Sequence, residues 1–166
     1  TNERFLLRDR FVADPGLRGY AFAHGLLRDE VLAAIPALRR QRMHARVAEV
    51  LADSSDPDRA GRRARHLMAA LPLVDARVVL DAFFTTATAT TERWNSEEAA
   101  RWWDDAVRAF DLLPAAERSP GDRDDLLVAR VEALARAGRG QTVLDVVDAG
   151  LLDAVRDGRT STAGRL

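Results

Sequence analysis

The sequence predicts a mainly α-helical chain with one short β-hairpin near its start. Ala, Arg and Leu account for 30, 25 and 21 of the 166 residues, and all three favour helix. Apolar residues recur at three- and four-residue spacing through most of the chain. The six prolines and the glycine clusters fall between those periodic runs, where turns belong. With 47% hydrophobic residues, 31% charged residues and a net charge of -1, the balance is that of a globular protein, which excludes a disordered or collagen-like chain.

The elements follow in order. Arg10 to Ala13 reads as a strand, Asp14-Pro15-Gly16 as a turn and Gly19 to Phe22 as a second strand, together one small hairpin. A helix is expected from His24 to Ile35, with Leu26, Leu27, Val31 and Ile35 turned inward. Pro36 suits the first turn of the next helix, on which Met43, Val47, Val50 and Leu51 form an apolar stripe. Ser54-Ser55-Asp56-Pro57 breaks the pattern, with Asp56 placed to cap a helix that runs to about Leu71. A helix over Asp75 to Arg93 has a threonine-rich middle of low helix propensity, but Val79, Phe83 and Ala87 line up at i, i+4, i+8. Asn95 and Ser96 cap a helix reaching Leu113, with Glu97 and Glu98 in its first turn, where the helix dipole favours acids. Glu97/Arg101 and Asp104/Arg108 are expected as ion pairs one turn apart. Pro114 to Gly121 is a loop. A helix over about Asp122 to Ala137 follows, then the Gly138-Arg139-Gly140 turn, then a helix to about Asp157, and the last residues are expected to fray. Helices of similar length joined by short links suggest helical repeats.

The residue inventory excludes several chemistries. All 25 basic residues are Arg, so there is no phosphate-loop lysine, Schiff-base lysine or Ser-Lys dyad. There is no Cys, hence no disulfide, thiolate nucleophile or Cys-ligated zinc. The three His stand about twenty residues apart without a metal-ligand spacing, so no metal is expected. No serine lies in a nucleophile elbow, and the carboxylates alternate with Arg on helix faces as solubilising pairs. No catalysis is expected. The longest uncharged run, Ala82 to Thr91, is too short and polar to span a bilayer. A cytoplasmic location is expected, with no membrane partner.

Residues 22–51 carry a resemblance. They read Phe22-Ala23-His24-Gly25-Leu26-Leu27-Arg28-Asp29, then Leu38-Arg39-Arg40-Gln41-Arg42-Met43-His44-Ala45-Arg46-Val47-Ala48-Glu49-Val50-Leu51. This is similar to the end of the winged-helix segment, and the helix after it, in the large ATP-binding LuxR-family transcriptional regulators, which are STAND-class ATPases. In the second half, Glu97 to Val107 resembles the second helix of a tetratricopeptide hairpin. Ala99 and Ala106 match its small positions and Trp103 its large aromatic one, while Phe83 and Ala87 match the preceding helix. Residues 126–155 resemble a further unit, in which Val131 and Val143 stand where smaller residues are usual. The resemblance implies a winged-helix end leading into a first repeat helix over 1–53, a tetratricopeptide-like array over 54–157 and a tail over 158–166. It also implies a longer parent, with an ATPase domain before this piece and a DNA-binding helix-turn-helix after it.

Site residues follow from this frame. The resemblance implies that His24 contacts a nucleotide phosphate in the full-length protein, an imidazole N–H donating to an anionic oxygen. No phosphate-cradling glycine-rich loop is present, so ATP or ADP would be held by the ATPase domain in cis and not by this piece. Arg28 is expected to face that domain or pair with an acid. Trp103 is expected in the core, and Trp94 or Trp102 partly exposed in a groove as a partner anchor. His44 and His66 read as packing or groove residues. The Arg residues at 39, 40, 42 and 46 and at 59, 62, 63 and 65 are interleaved with acids, so an interface or inter-helix pairing is expected and no direct nucleic-acid contact. The expected function is regulatory: a helical sensor segment that binds a protein or small inducer and couples it to the nucleotide state. The alternatives are a free-standing interaction scaffold and the helical arm of a multidomain nucleotide cyclase.

Overall fold

The computed structural model describes residues 25–53, 58–159 and 164. The expected hairpin, His24 and the Asp56-Pro57 cap lie outside them. Among the described residues there are seven α-helices and no strand: α1 (Gly25–Ala34), α2 (Ala37–Ala52), α3 (Arg59–Ala69), α4 (Ala76–Glu92), α5 (Ser96–Asp111), α6 (Pro120–Arg136) and α7 (Gly140–Arg156). These residues are all-α, with a 3₁₀ turn over Ala115–Glu117 before α6. It divides into two compact units, Thr1–Arg40 and Gln41–Leu166, at a boundary within α2.

In the first unit, Leu26 is 81% exposed and Val31 is also exposed, which corrects the expectation that both turn inward. The turn after α1 is closed by backbone and side chain instead. Ile35 N–H donates to the Leu32 carbonyl at 3.3 Å, and Arg40 Nη1 donates to the same carbonyl at 3.0 Å.

In the second unit, packing follows chain order, α3 on α4, α4 on α5, α5 on α6 and α6 on α7, as in a one-dimensional helical stack. α4 and α5 hold the centre of the core: Val79, Phe83, Ala87, Ala99, Ala106, Phe110 and the adjoining Leu113 are almost wholly buried. The small residues at 87, 99 and 106 let the helix axes approach, as their positions suggested. Trp103 is buried, donates its indole N–H to Thr91 Oγ1 at 3.2 Å and meets Phe84 edge-on at 5.3 Å.

α2 departs from expectation. Met43, Val47 and Val50 are exposed, and the buried residues are Ala48 and Leu51. The contact face runs through Gln41, His44, Ala48 and Leu51 and shares only Leu51 with the expected apolar stripe. Two polar bonds set it: Gln41 Nε2 donates to the Leu71 carbonyl at 2.7 Å, and His44 Nδ1 lies 2.8 Å from His66 Nδ1.

The threonine-rich α4 is helical, with threonine hydroxyls that find partners within it. Thr85, Thr86, Thr90 and Thr91 donate to the carbonyls of Asp81, Ala82, Thr86 and Ala87, one turn back, at 2.7–2.8 Å. Asp75 caps this helix through Arg77 N–H at 2.7 Å, and Asn95 caps α5 through Glu98 N–H. Glu97 and Arg101 pair at 2.8 Å as expected. Asp104 and Arg108 do not. Arg108 takes Asp105 at 3.2 Å, while Asp104 faces α6 and pairs with Arg130. The half-buried inter-helix partner wins over the solvent-exposed one because it is less screened. Beyond α7, Arg159 folds back onto the buried Asp124 of α6 and onto Asp157.

Among the described glycines, Gly61 has the closest neighbours. A Cβ there would lie 2.6 Å from Trp102 Cζ2 and 2.7 Å from Cη2, inside van der Waals contact with a buried, rigid ring. Gly61→Ala gains about 1 kcal/mol of helix propensity but forces that ring to shift, a strain of about 1–3 kcal/mol. A net loss of stability is expected in urea unfolding. Equal or greater stability would show that the contact is soft.

Candidate functional site

α3, α4 and α5 line an open groove with a volume of about 570 Å³. From α3 it receives Gly61, Arg62 and Arg65, from α4 Thr86, Ala89 and Thr90, and from α5 Glu98 and Trp102; Arg93 and Asn95 come from the α4–α5 turn, and Asp58 precedes α3. Arg62 and Arg65 share a face because they are three residues apart. The Arg65 guanidinium stacks over Trp102, 4.5 Å from the ring centroid, a cation–π contact that holds its plane. Asn95 joins the turn to α5 by donating Nδ2–H to Glu98 Oε2 at 2.7 Å. Next to the groove, burial raises the Asp105 carboxyl above its ordinary range; Arg108 and Arg65 oppose this and Asp104 reinforces it.

The expected site residues separate. His24 and the Arg28 side chain lie outside what is described. Trp102 is 5% exposed, so it is a core residue whose edge reaches the groove, which corrects the expectation of partial exposure. Trp94 is 86% exposed and stands between two groove residues, Arg93 and Asn95. Its backbone has φ 60°, the left-handed region that glycine favours just past a helix end. An indole at that position is both strained and solvated. Sequence reasoning missed the gathering of Arg62, Arg65 and Arg93, because Arg93 joins the other two only through the α4–α5 turn. The three-residue spacing of Arg62 and Arg65 was the one visible signal.

His44 and His66 form a second polar feature, joining α2 to α3 with ring centroids 5.0 Å apart. A bond between two Nδ1 atoms needs one donor and one acceptor, so it is lost when both rings are protonated. The His66 pKa is lowered, first by burial, then by His44 and Arg62. Among the described residues no group of three or more His, Cys, Asp or Glu is placed to hold a metal, and no helix is long and apolar enough to cross a membrane.

The fold defines a helical stack with a ligand-sized groove between three helices. No protein-family model, curated protein or solved structure matches the chain.

Two outcomes follow. A lowered His66 pKa means the unfolded chain binds more protons there, so stability rises with pH across the window just below 6.5 and is lost as pH falls through it. Urea midpoints across that range should show the slope, and His66→Gln should flatten it. Separately, Trp94→Gly should stabilise the chain by about 1 kcal/mol by removing left-handed strain. A lower melting temperature in that variant would contradict the strain.

Proposed function

We propose that this chain is the sensor segment of an ATP-binding LuxR-family transcriptional regulator of the STAND class. It makes or breaks no bonds itself. It takes up a protein or small inducer on its tetratricopeptide-like helices and passes the event to a cytoplasmic ATPase domain in cis. That domain holds ATP or ADP, and His24 contacts the nucleotide phosphate, with Arg28 on the same side. DNA is read by a domain beyond this segment.

The observation that carries the binding role is Trp94. A large aromatic side chain, 86% exposed, sits on a backbone that glycine would occupy with less strain. Exposed aromatics of this kind anchor partners, and their cost to stability is offset only when the partner is bound. Support for the regulator frame comes from the motif over residues 22–51 and from the chain-order packing of α3 to α7. Nearest-neighbour stacking lets a ligand wedged between helices change the packing of those on either side. Coupling then requires that the ligand prefer one arrangement over the other.

The test uses the full-length parent. A phosphate-binding glycine-rich loop should precede residue 1 and a helix-turn-helix should follow residue 166. His24→Ala should release bound ADP at least several-fold faster, read by retention of labelled nucleotide, while Trp94→Ala should retain ADP and lose the response to inducer. A parent without a nucleotide-binding domain, or unchanged ADP retention in His24→Ala, would overturn the reading.

A further inference from the structure

We propose that the groove between α3, α4 and α5 binds a small hydroxylated organic acid, a carboxylate or phosphate, with Arg62, Arg65 and Arg93 as its cationic contacts. The proposal deepens the sensor reading, on which its regulatory meaning rests, by giving the inducer a chemical class and a place.

Size comes first. A volume of about 570 Å³ falls inside the range that takes small organic ligands. Charge comes second. The lining carries three guanidinium groups against two carboxylates, Asp58 and Glu98, a surplus of one positive charge. The Arg93 side chain makes no ion pair or hydrogen bond among the described residues, and the Arg65 guanidinium has only its stacking on Trp102 and the field of Asp105. Stacking orders a guanidinium without using its in-plane N–H groups. Arg65 is therefore held ready to donate in bidentate fashion to a planar or tetrahedral acid, at little further cost in side-chain freedom.

The α4 wall supplies the complement. Thr86 and Thr90 spend their hydroxyl hydrogens on the carbonyls of Ala82 and Thr86, at 2.8 and 2.7 Å. Thr86 and Thr90 line the groove, and with those hydrogens spent either oxygen can offer a ligand acceptance only, which suits hydroxyl groups on the ligand and repels a second acid. Donors on one side and acceptors on the other favour a molecule with one acidic end and a hydroxylated body. An extended polyanion fits less well, because Asp58 and Glu98 interrupt the positive surface.

Calorimetric titration of the chain at fixed ionic strength tests this with glucose 6-phosphate, gluconate, neutral glucose and a short single-stranded oligonucleotide. At least one of the two acids should bind with a dissociation constant below about 1 mM, glucose should not, and the two acids separate phosphate from carboxylate recognition. Arg93→Gln, at an exposed turn position that leaves the core intact, should weaken binding by about tenfold or more. Arg65→Gln should do the same and also change Trp102 fluorescence. Absence of binding by both acids, unchanged affinity in Arg93→Gln, or tighter binding of the oligonucleotide would overturn the proposal. Failure of both acids leaves the ADP-retention test of the sensor reading standing. Acid binding by a chain whose parent has no ATPase domain would keep this site and remove that reading.

Discussion

The indole of Trp102 sets how closely α3 can approach α5, and the arrangement of the groove follows from that distance. One edge of the ring fills the space where a Cβ of residue 61 would stand. One face supports the Arg65 guanidinium, and Phe83 of α4 lies 6.1 Å away, tilted against the ring. Three helices thus share one rigid side chain. A smaller residue there would leave a void and let Arg65 move, while a larger residue at 61 would push α3 outward. The same side chain therefore belongs to the core and to the groove.

Charge ties the later helices together in a similar way. Because every cation is Arg, each can span two acceptors with a planar fork. Arg123 of α6 lies 3.8 Å from Asp111 and 3.7 Å from Asp153, reaching from α5 to α7. Arg118 donates to the carbonyls of Leu113 and Asp111, both at 2.7 Å, and so closes the open end of α5. These contacts add to an apolar core in which, among the described residues, 11 of the 24 buried hydrophobic residues are Ala, so that helix axes can approach closely around the larger side chains.

The all-α class and the helix order were legible in the sequence, because 3.6-residue periodicity and proline punctuation are local signals. So were the small positions at 87, 99 and 106 and the burial of Trp103. The facing of α2 was not. Of its apolar stripe, Leu51 is buried but Met43, Val47 and Val50 are exposed, because Gln41 and His44 find partners on residues 71 and 66 and turn the helix toward them. Those partners are more than twenty residues away, beyond any periodicity argument. Asp104 was assigned to Arg108 by spacing and went to Arg130 for the same reason. The groove was half visible: Arg62 and Arg65 share a face by spacing, but the nearness of Arg93 and the need for glycine at 61 exist only once three helices have packed.

The central claim is that contact between Gly61 and Trp102 fixes the α3–α5 spacing. A double-mutant cycle of Gly61→Ala with Trp102→Leu, followed by urea unfolding, tests it most directly. Alanine at 61 is expected to destabilise the chain when Trp102 is present and to be neutral or stabilising when leucine replaces the ring, because the clash is gone and helix propensity remains. Additive effects, with alanine equally harmful in both backgrounds, would contradict it.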